Sequence, residues 1–205
     1  HEPAVAAVQK PEAIPALLAV SSVHHHLVRA GKRHLAGLAL ETGEARDVMH
    51  CATLIGFGAS AINPYLAFKT IADLKKEGRL QPSLTLEAAV ENYITALRKG
   101  LLKIMSKMGI STIRSYKGAQ LFEAVGLNGD FVAAYFPGTP SRIGGIGLDE
   151  IGAETLMRHW QTFPRSGAAG DEILETGGSQ HFRRSSENHL LTPESIVLLQ
   201  KAVPV

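Results

Sequence analysis

Three stretches hold the residue types that invite chemistry. The first is His24-His25-His26. Successive helical residues point about 100° apart, so three adjacent imidazoles do not converge on one ion. Zinc sites favour an i, i+4 pair plus a distant ligand. The stronger reading is one ring packed inward and hydrogen-bonded, with the others capping or facing solvent. The second stretch, Gly56-Phe57-Gly58-Ala59-Ser60-Ala61, spells GxGxxA. A dinucleotide fingerprint needs a strand before it and a helix after it. Here a helix is expected before and a short strand after, so the glycines read as a helix end running into a close-packed strand. The third is GTPSRIGGIG, Gly138–Gly147. Its backbone donors, the hydroxyls of Thr139 and Ser141, and Arg142 could hold a phosphate or carboxylate. It lacks the Lys-Ser/Thr pair of a P-loop, and a contact loop between domains is the stronger reading.

No Ser-His-Asp set, carboxylate pair or metal cluster assembles from spacing. Ser106 and Lys107 are adjacent on a helix and diverge. Cys51 lies in a helical apolar stripe and reads as core. No catalytic residue and no metal site are therefore assigned.

The elements that must position these residues are organised around Lys103–Gly126. Gly109 stands where a helix C-terminus needs a positive φ. Ile110–Tyr116 has strand composition, and Ala119–Val125 resumes a helical pattern. Upstream, the short apolar run Ala16–Val20 suits a strand buried on both faces. Ser21 or Ser22 then caps a helix that carries the histidines and ends at Gly31. His34–Glu41 is a second strand, Glu44–Ile55 a helix with Glu44 complementing its dipole, and Ala59–Ile62 a very short strand. Asn63-Pro64 opens a helix to Glu77. A long helix spans about Thr85 to Met108, with Val90, Ile94, Leu97, Leu101 and Met108 in its apolar stripe. Asp130–Tyr135 is a helical turn, Phe136–Gly147 an ordered loop and Leu148–Phe163 a helix. Thr192-Pro193 starts the last helix. The expected fold is α/β: partial, incomplete TIM-barrel-like βα repeats with a long helix and an irregular C-terminal segment. A complete barrel needs about 250 residues, more than the 205 here.

Composition bounds the function. A hydrophobic fraction of 45% fits a globular domain, and a net charge of +2 gives no footprint for nucleic acid or an anionic membrane. No apolar run approaches a membrane span. One cysteine excludes an intrachain disulfide and suits a reducing cytoplasm. In an α/β layer, strand C-terminal ends face the ligand side. On that rule Ser21, Ser22, Glu41, Asn63 and Ser115 are candidates for lining a path.

Four blocks also carry a family resemblance: Ala13–Gly31, Leu40–Phe68, MSKMGIST with SYKGAQLFEAVGL between Met105 and Leu127, and Gly138–Ile151. In this order they resemble the large subunit of glutamate synthase, in the later part of its central domain. The resemblance implies an enzyme making glutamate from glutamine and 2-oxoglutarate. In that family an amidotransferase domain with an N-terminal cysteine releases ammonia. A later barrel binds FMN, and an iron–sulfur cluster delivers electrons. The central domain joins these parts and walls the ammonia path. The chain begins at His1 and has only Cys51, so neither the nucleophile nor a cluster ligand set is carried over. The expectation is a fragment that binds no cofactor and is inactive by itself. Its partners are the amidotransferase and FMN-binding domains of the same polypeptide, and exposed apolar edges favour self-association. Residues 1–12 read as a flexible arm, 13–163 as the central-domain-like region, and 164–205 as an irregular linker and helix leading toward the FMN barrel. Asp171–Asn188 departs most from the family pattern. The alternative is a free-standing α/β module for an anionic ligand or a flavin.

Overall fold

The computed structural model describes residues 14–162 and 189–203. The arm expected at residues 1–12 and most of the irregular segment expected from residue 164 lie outside them. The chain divides into two compact units between His159 and Trp160.

The first unit begins with α1, Ala16–Arg29. Ala16 and Val20 enter one core cluster with Ala45, Leu54 and Ala59. Leu18 enters a second cluster with Phe131, Val132 and Phe136. Residues 16 and 20 share one helix face, and residue 18 points to the opposite one. The helix is thus buried on opposite sides. This corrects the strand expected at Ala16–Val20: a short apolar run without period fits a buried strand and a buried helix equally well. Ser21 and Ser22 consequently lie inside α1 rather than capping it, and Pro15 precedes its first turn. Glu44 is corrected too. The helix expected from Glu44 starts only at Val48, so Glu44 lies upstream of it, and its Oε2 accepts from the Ala16 backbone N–H at 2.8 Å, satisfying an orphan donor of α1.

Two βαβ units follow. A 3-10 turn, Arg33–Leu35, replaces the front of the expected second strand, leaving β1 at Ala39–Glu41. Helix α2, Val48–Gly56, is capped by Asp47, whose Oδ1 accepts from the His50 N–H at 3.0 Å. Strand β2, Ala61–Asn63, pairs parallel with β1, placing Glu41 opposite Asn63. Asn63 ends the strand, so α3, Tyr65–Lys76, starts one residue later than its Asn-Pro signal suggests. The second unit of this kind is β3, Ala124–Leu127, then α6, Gly129–Tyr135, then β4, Ser141–Ile146, parallel to β3 with register shifts. Among the described residues the strands form these two separate pairs. The architecture is mixed α/β with short parallel strands.

Helix α4, Leu86–Lys107, matches the long helix expected. Thr85 caps its start, and its end closes with paired bonds from Ile110 N to Met105 O and Gly109 N to Ser106 O. It packs against α2 and α3. A Cβ on Gly100 would run into Val48, so the glycine serves close approach of α2 and α4.

Downstream of α4 the expectations fail in three places. Ile110–Tyr116 is no strand: Thr112 accepts from the Ser115 N–H and starts the short helix α5, Ile113–Tyr116. Local capping and the burial of Tyr116 override β composition. Ala119–Val125 is no helix: Gln120 has φ of 53°, and Ala124 N donates to Pro140 O. Part of the expected loop Phe136–Gly147 is β4 itself, because residues 141–146 find a partner that no local pattern reveals. Helix α7, Leu148–Thr162, follows as expected. In the second unit, α8, Pro193–Ala202, opens with a reciprocal Thr192–Ser195 capping box.

Tyr116 is fully buried, and its hydroxyl donates to the Ala52 carbonyl of α2 at 3.2 Å. Tyr116→Phe removes that bond and little else. We expect it to lower unfolding free energy by about 1 kcal/mol, read as a shifted urea midpoint at constant slope. An unchanged midpoint would show that the hydroxyl contributes nothing.

Candidate functional site

The polar centre of the first unit is Arg33. Its Nε donates to His24 Nδ1 at 2.9 Å, Nη1 to Ala36 O at 2.6 Å and Nη2 to Gly58 O at 2.8 Å. One guanidinium thereby ties α1 to the segment before β1 and to the α2–β2 turn. Gly58 has φ of 117°, and a Cβ there would collide with the His24 ring. The GxGxxA stretch is thus a helix end and a packing contact. Among the three histidines, His24 is the inward, hydrogen-bonded ring; His25 meets it edge-on at 4.9 Å, and His26 is exposed. The triplet lies inside α1, so none of its rings sits at a strand end. No group of three His, Cys, Asp or Glu side chains among the described residues can hold a metal.

Burial, then the neighbouring His25, Arg33 and Lys117, lowers the pKa of His24 to about 4. The ring is neutral at pH 7. Because Nδ1 accepts from Arg33, its proton sits on Nε2. Burial, then Arg33, also lowers the pKa of Lys117, whose Nζ donates to Ser60 Oγ at 3.3 Å. His24, Arg33, His34, Ser60, Arg114 and Lys117 are among the residues lining an open cleft of ≈ 680 Å³. A smaller cavity of ≈ 200 Å³ opens beside His24, His25, Phe57, Tyr116, Phe122 and Thr139. That is below the roughly 300 Å³ at which small-molecule pockets begin.

Of the path candidates, Glu41 and Asn63 come together as register partners at the C-terminal ends of β1 and β2, both exposed. Thr42 N donates to Asn63 O at 3.1 Å just beyond them. The strand-end argument does not reach the other three. Ser21 is buried in α1, and its Oγ donates to Tyr135 O at 2.6 Å. Ser22, also in α1, lines an apolar cleft with Leu18, Tyr135 and Ile151. Ser115 is exposed on α5, bonded to Thr112. In the Gly138–Gly147 stretch, Ser141 Oγ donates to Leu127 O at 2.9 Å and Arg142 faces Glu123 at 3.5 Å. Thr139 lines the smaller cavity. Ser141 and Arg142 are each engaged by a separate partner within the protein. Sequence reasoning missed Arg33, Arg114 and Lys117. Lys32–His34 was legible only as a basic connector, since the partners of Arg33 come from α1, the segment before β1 and the α2–β2 turn.

Comparison with known proteins agrees with this scaffold. Residues 6–128 match the family model of the glutamate synthase central domain. The chain belongs to this family. It is 46% identical over 189 residues to the glutamate synthase [NADPH] large chain of Bacillus subtilis (strain 168), covering 92% of this chain and 12% of that protein. It is 42% identical over 199 residues to ferredoxin-dependent glutamate synthase 2 of Synechocystis, covering 93% and 12%. Over 197 residues it is 41% identical to glutamate synthase [NADH] of Saccharomyces cerevisiae, covering 93% and 9%. The chain thus spans only about a tenth of the length of these glutamate synthases.

The lowered pKa of His24 sets a pH dependence. Its folded value lies below the unfolded 6.5, so the unfolded chain binds the proton more readily. Its contribution to stability is present above pH 6.5 and is lost as pH falls toward 4. His24→Asn keeps an acceptor for Arg33 but cannot titrate. We expect denaturant unfolding to show a shallower stability loss between pH 7 and 5 in the variant. Equal slopes would mean His24 is not held neutral.

Proposed function

We propose that this chain serves as the structural and ammonia-channelling central domain of a glutamate synthase. The parent reaction converts glutamine, 2-oxoglutarate and reductant to two molecules of glutamate. The observation that carries this reading is the breadth of the match. Relatives named for NADPH, NADH and ferredoxin share the same segment at 41–46% identity. A segment common to three electron donors suits the part of the reaction they share, and carrying ammonia to the synthase site is such a part.

Glutamine cleavage and 2-oxoglutarate reduction belong, in this reading, to amidotransferase and FMN-binding domains of the same polypeptide, in the cytoplasm. An iron–sulfur cluster does not fit this chain. Three or four thiolates are needed, and Cys51 is single, buried and raised in pKa by that burial and by Asp47. FMN is likewise assigned to the parent enzyme. Residues 13–163 are read as the central-domain region and 164–205 as the stretch leading toward the flavin domain. The unit division after His159 supports the second boundary. The βαβ units are read as pieces of a reduced, TIM-barrel-like layer. The two parallel crossovers, each within its own strand pair, support that reading.

Glu41 and Asn63 are the path-lining pair we retain. A carboxylate and an amide oxygen at one strand end can both accept hydrogen bonds from ammonia. Ser21 ties α1 to the Tyr135 carbonyl and Ser115 bonds the α5 cap Thr112 instead, while Ser22 lines the apolar cleft. The double variant Glu41→Gln, Asn63→Ala in the whole enzyme tests the assignment. We expect glutamine cleavage to exceed 2-oxoglutarate reduction several-fold, with ammonia escaping, while synthesis from added ammonia is unchanged. A one-for-one ratio in the variant would remove the pair from the path.

A further inference from the structure

The cleft at the opposite, N-terminal ends of β1 and β2 carries its own inference. Leu38 O accepts from the Ser60 and Ala61 N–H groups at 2.7 and 3.2 Å, closing this end of the strand pair. Arg33, Arg114 and Lys117 converge here from the 3-10 turn, α5 and the residue after α5. Among the described residues, no carboxylate lines the cleft. The ion pairs found among the described residues are His50–Asp47, Arg79–Glu77 and Arg142–Glu123, and none involves these three cations.

Arg33 is oriented, not neutralised. Its three acceptors are an imidazole and two carbonyls, all uncharged, and two of its five N–H groups remain available. Lys117 has one hydroxyl partner and two remaining donors. Ser60 Oγ accepts from Lys117 and from Leu38 N, so its own O–H is left to donate. The mutual repulsion of Arg33 and Lys117 is relieved by an anion between them. Arg33 is also held rigidly before any ligand arrives, which lowers the ordering cost of binding.

We propose that the cleft formed by Arg33, Ser60, Arg114 and Lys117 binds a small oxyanion of two or more negative charges. Phosphate-bearing and polycarboxylate ligands share this chemistry. Three cations with no counter-charge among the described residues favour a multivalent ligand over a monovalent one. The Arg33 fork suits two oxygens of one group. The site is separate from the Glu41–Asn63 end of the same strands and does not depend on the ammonia-path reading.

The test is calorimetric titration of the full chain with inorganic phosphate and, separately, citrate, against sodium chloride at matched ionic strength. We expect saturable binding of at least one of them. Phosphate alone would identify a phosphoryl ligand, and citrate alone a polycarboxylate. Lys117→Gln keeps a partner for Ser60, and Arg114→Gln changes an exposed side chain, so neither disturbs the Arg33 clamp. Each is expected to weaken binding about tenfold, the loss of one charge-assisted contact. Heats indistinguishable from chloride for both anions would overturn the proposal. So would undiminished affinity in both variants.

Discussion

The first unit depends on α1 being buried on opposite faces. Ala16 and Val20 belong to the cluster under β1 and β2, while Leu18 belongs to the cluster around α6. Leu17 touches both. Each strand pair is too short to support itself, since an isolated two-stranded element is marginal in water. The helix joins two such pairs by giving each an apolar wall. Its polar groups are settled at the same time: Glu44 takes the Ala16 N–H, and Ser21 ties to the Tyr135 carbonyl.

A second constraint acts through polar contacts. Arg33 gathers α1, the approach to β1 and the α2–β2 turn through three neutral acceptors. The neutral state of His24 is part of that arrangement, because a protonated ring would lose its acceptor and add a cation beside Arg33 and Lys117. Gly58 belongs to the same contact, since its positive φ and missing Cβ admit the imidazole. The histidine that the sequence offers for metal chemistry thus works as a hydrogen-bond acceptor within the scaffold.

Polar side chains elsewhere in the chain are also tied to the backbone. Among the described residues, several short polar side chains are spent on caps: Asp47, Thr85, Thr112, Asn128 and Thr192 each hold a helix start. Both ends of the β1–β2 pair carry side chains with open hydrogen-bonding capacity. Glu41 and Asn63 are at one end, and the Arg33–Lys117 cleft is at the other.

The sequence by itself determined the elements whose signals are local. Helix α4 declares itself by a continuous 3–4 stripe, a Thr cap and Gly109, and α8 by Thr192-Pro193. The family too was legible, because four ordered blocks of residues carry it. Tertiary structure decided the rest. Ala16–Val20 became a helix because two clusters enclose it, which no period within five residues encodes. Ile110–Tyr116 lost its strand to a side-chain cap and a buried tyrosine. Strand β4 emerged from a glycine-rich stretch because β3 lay alongside it. The cationic cleft assembles from residues distant in sequence, and its character rests on the absence of lining carboxylates among the described residues, which only spatial proximity can define.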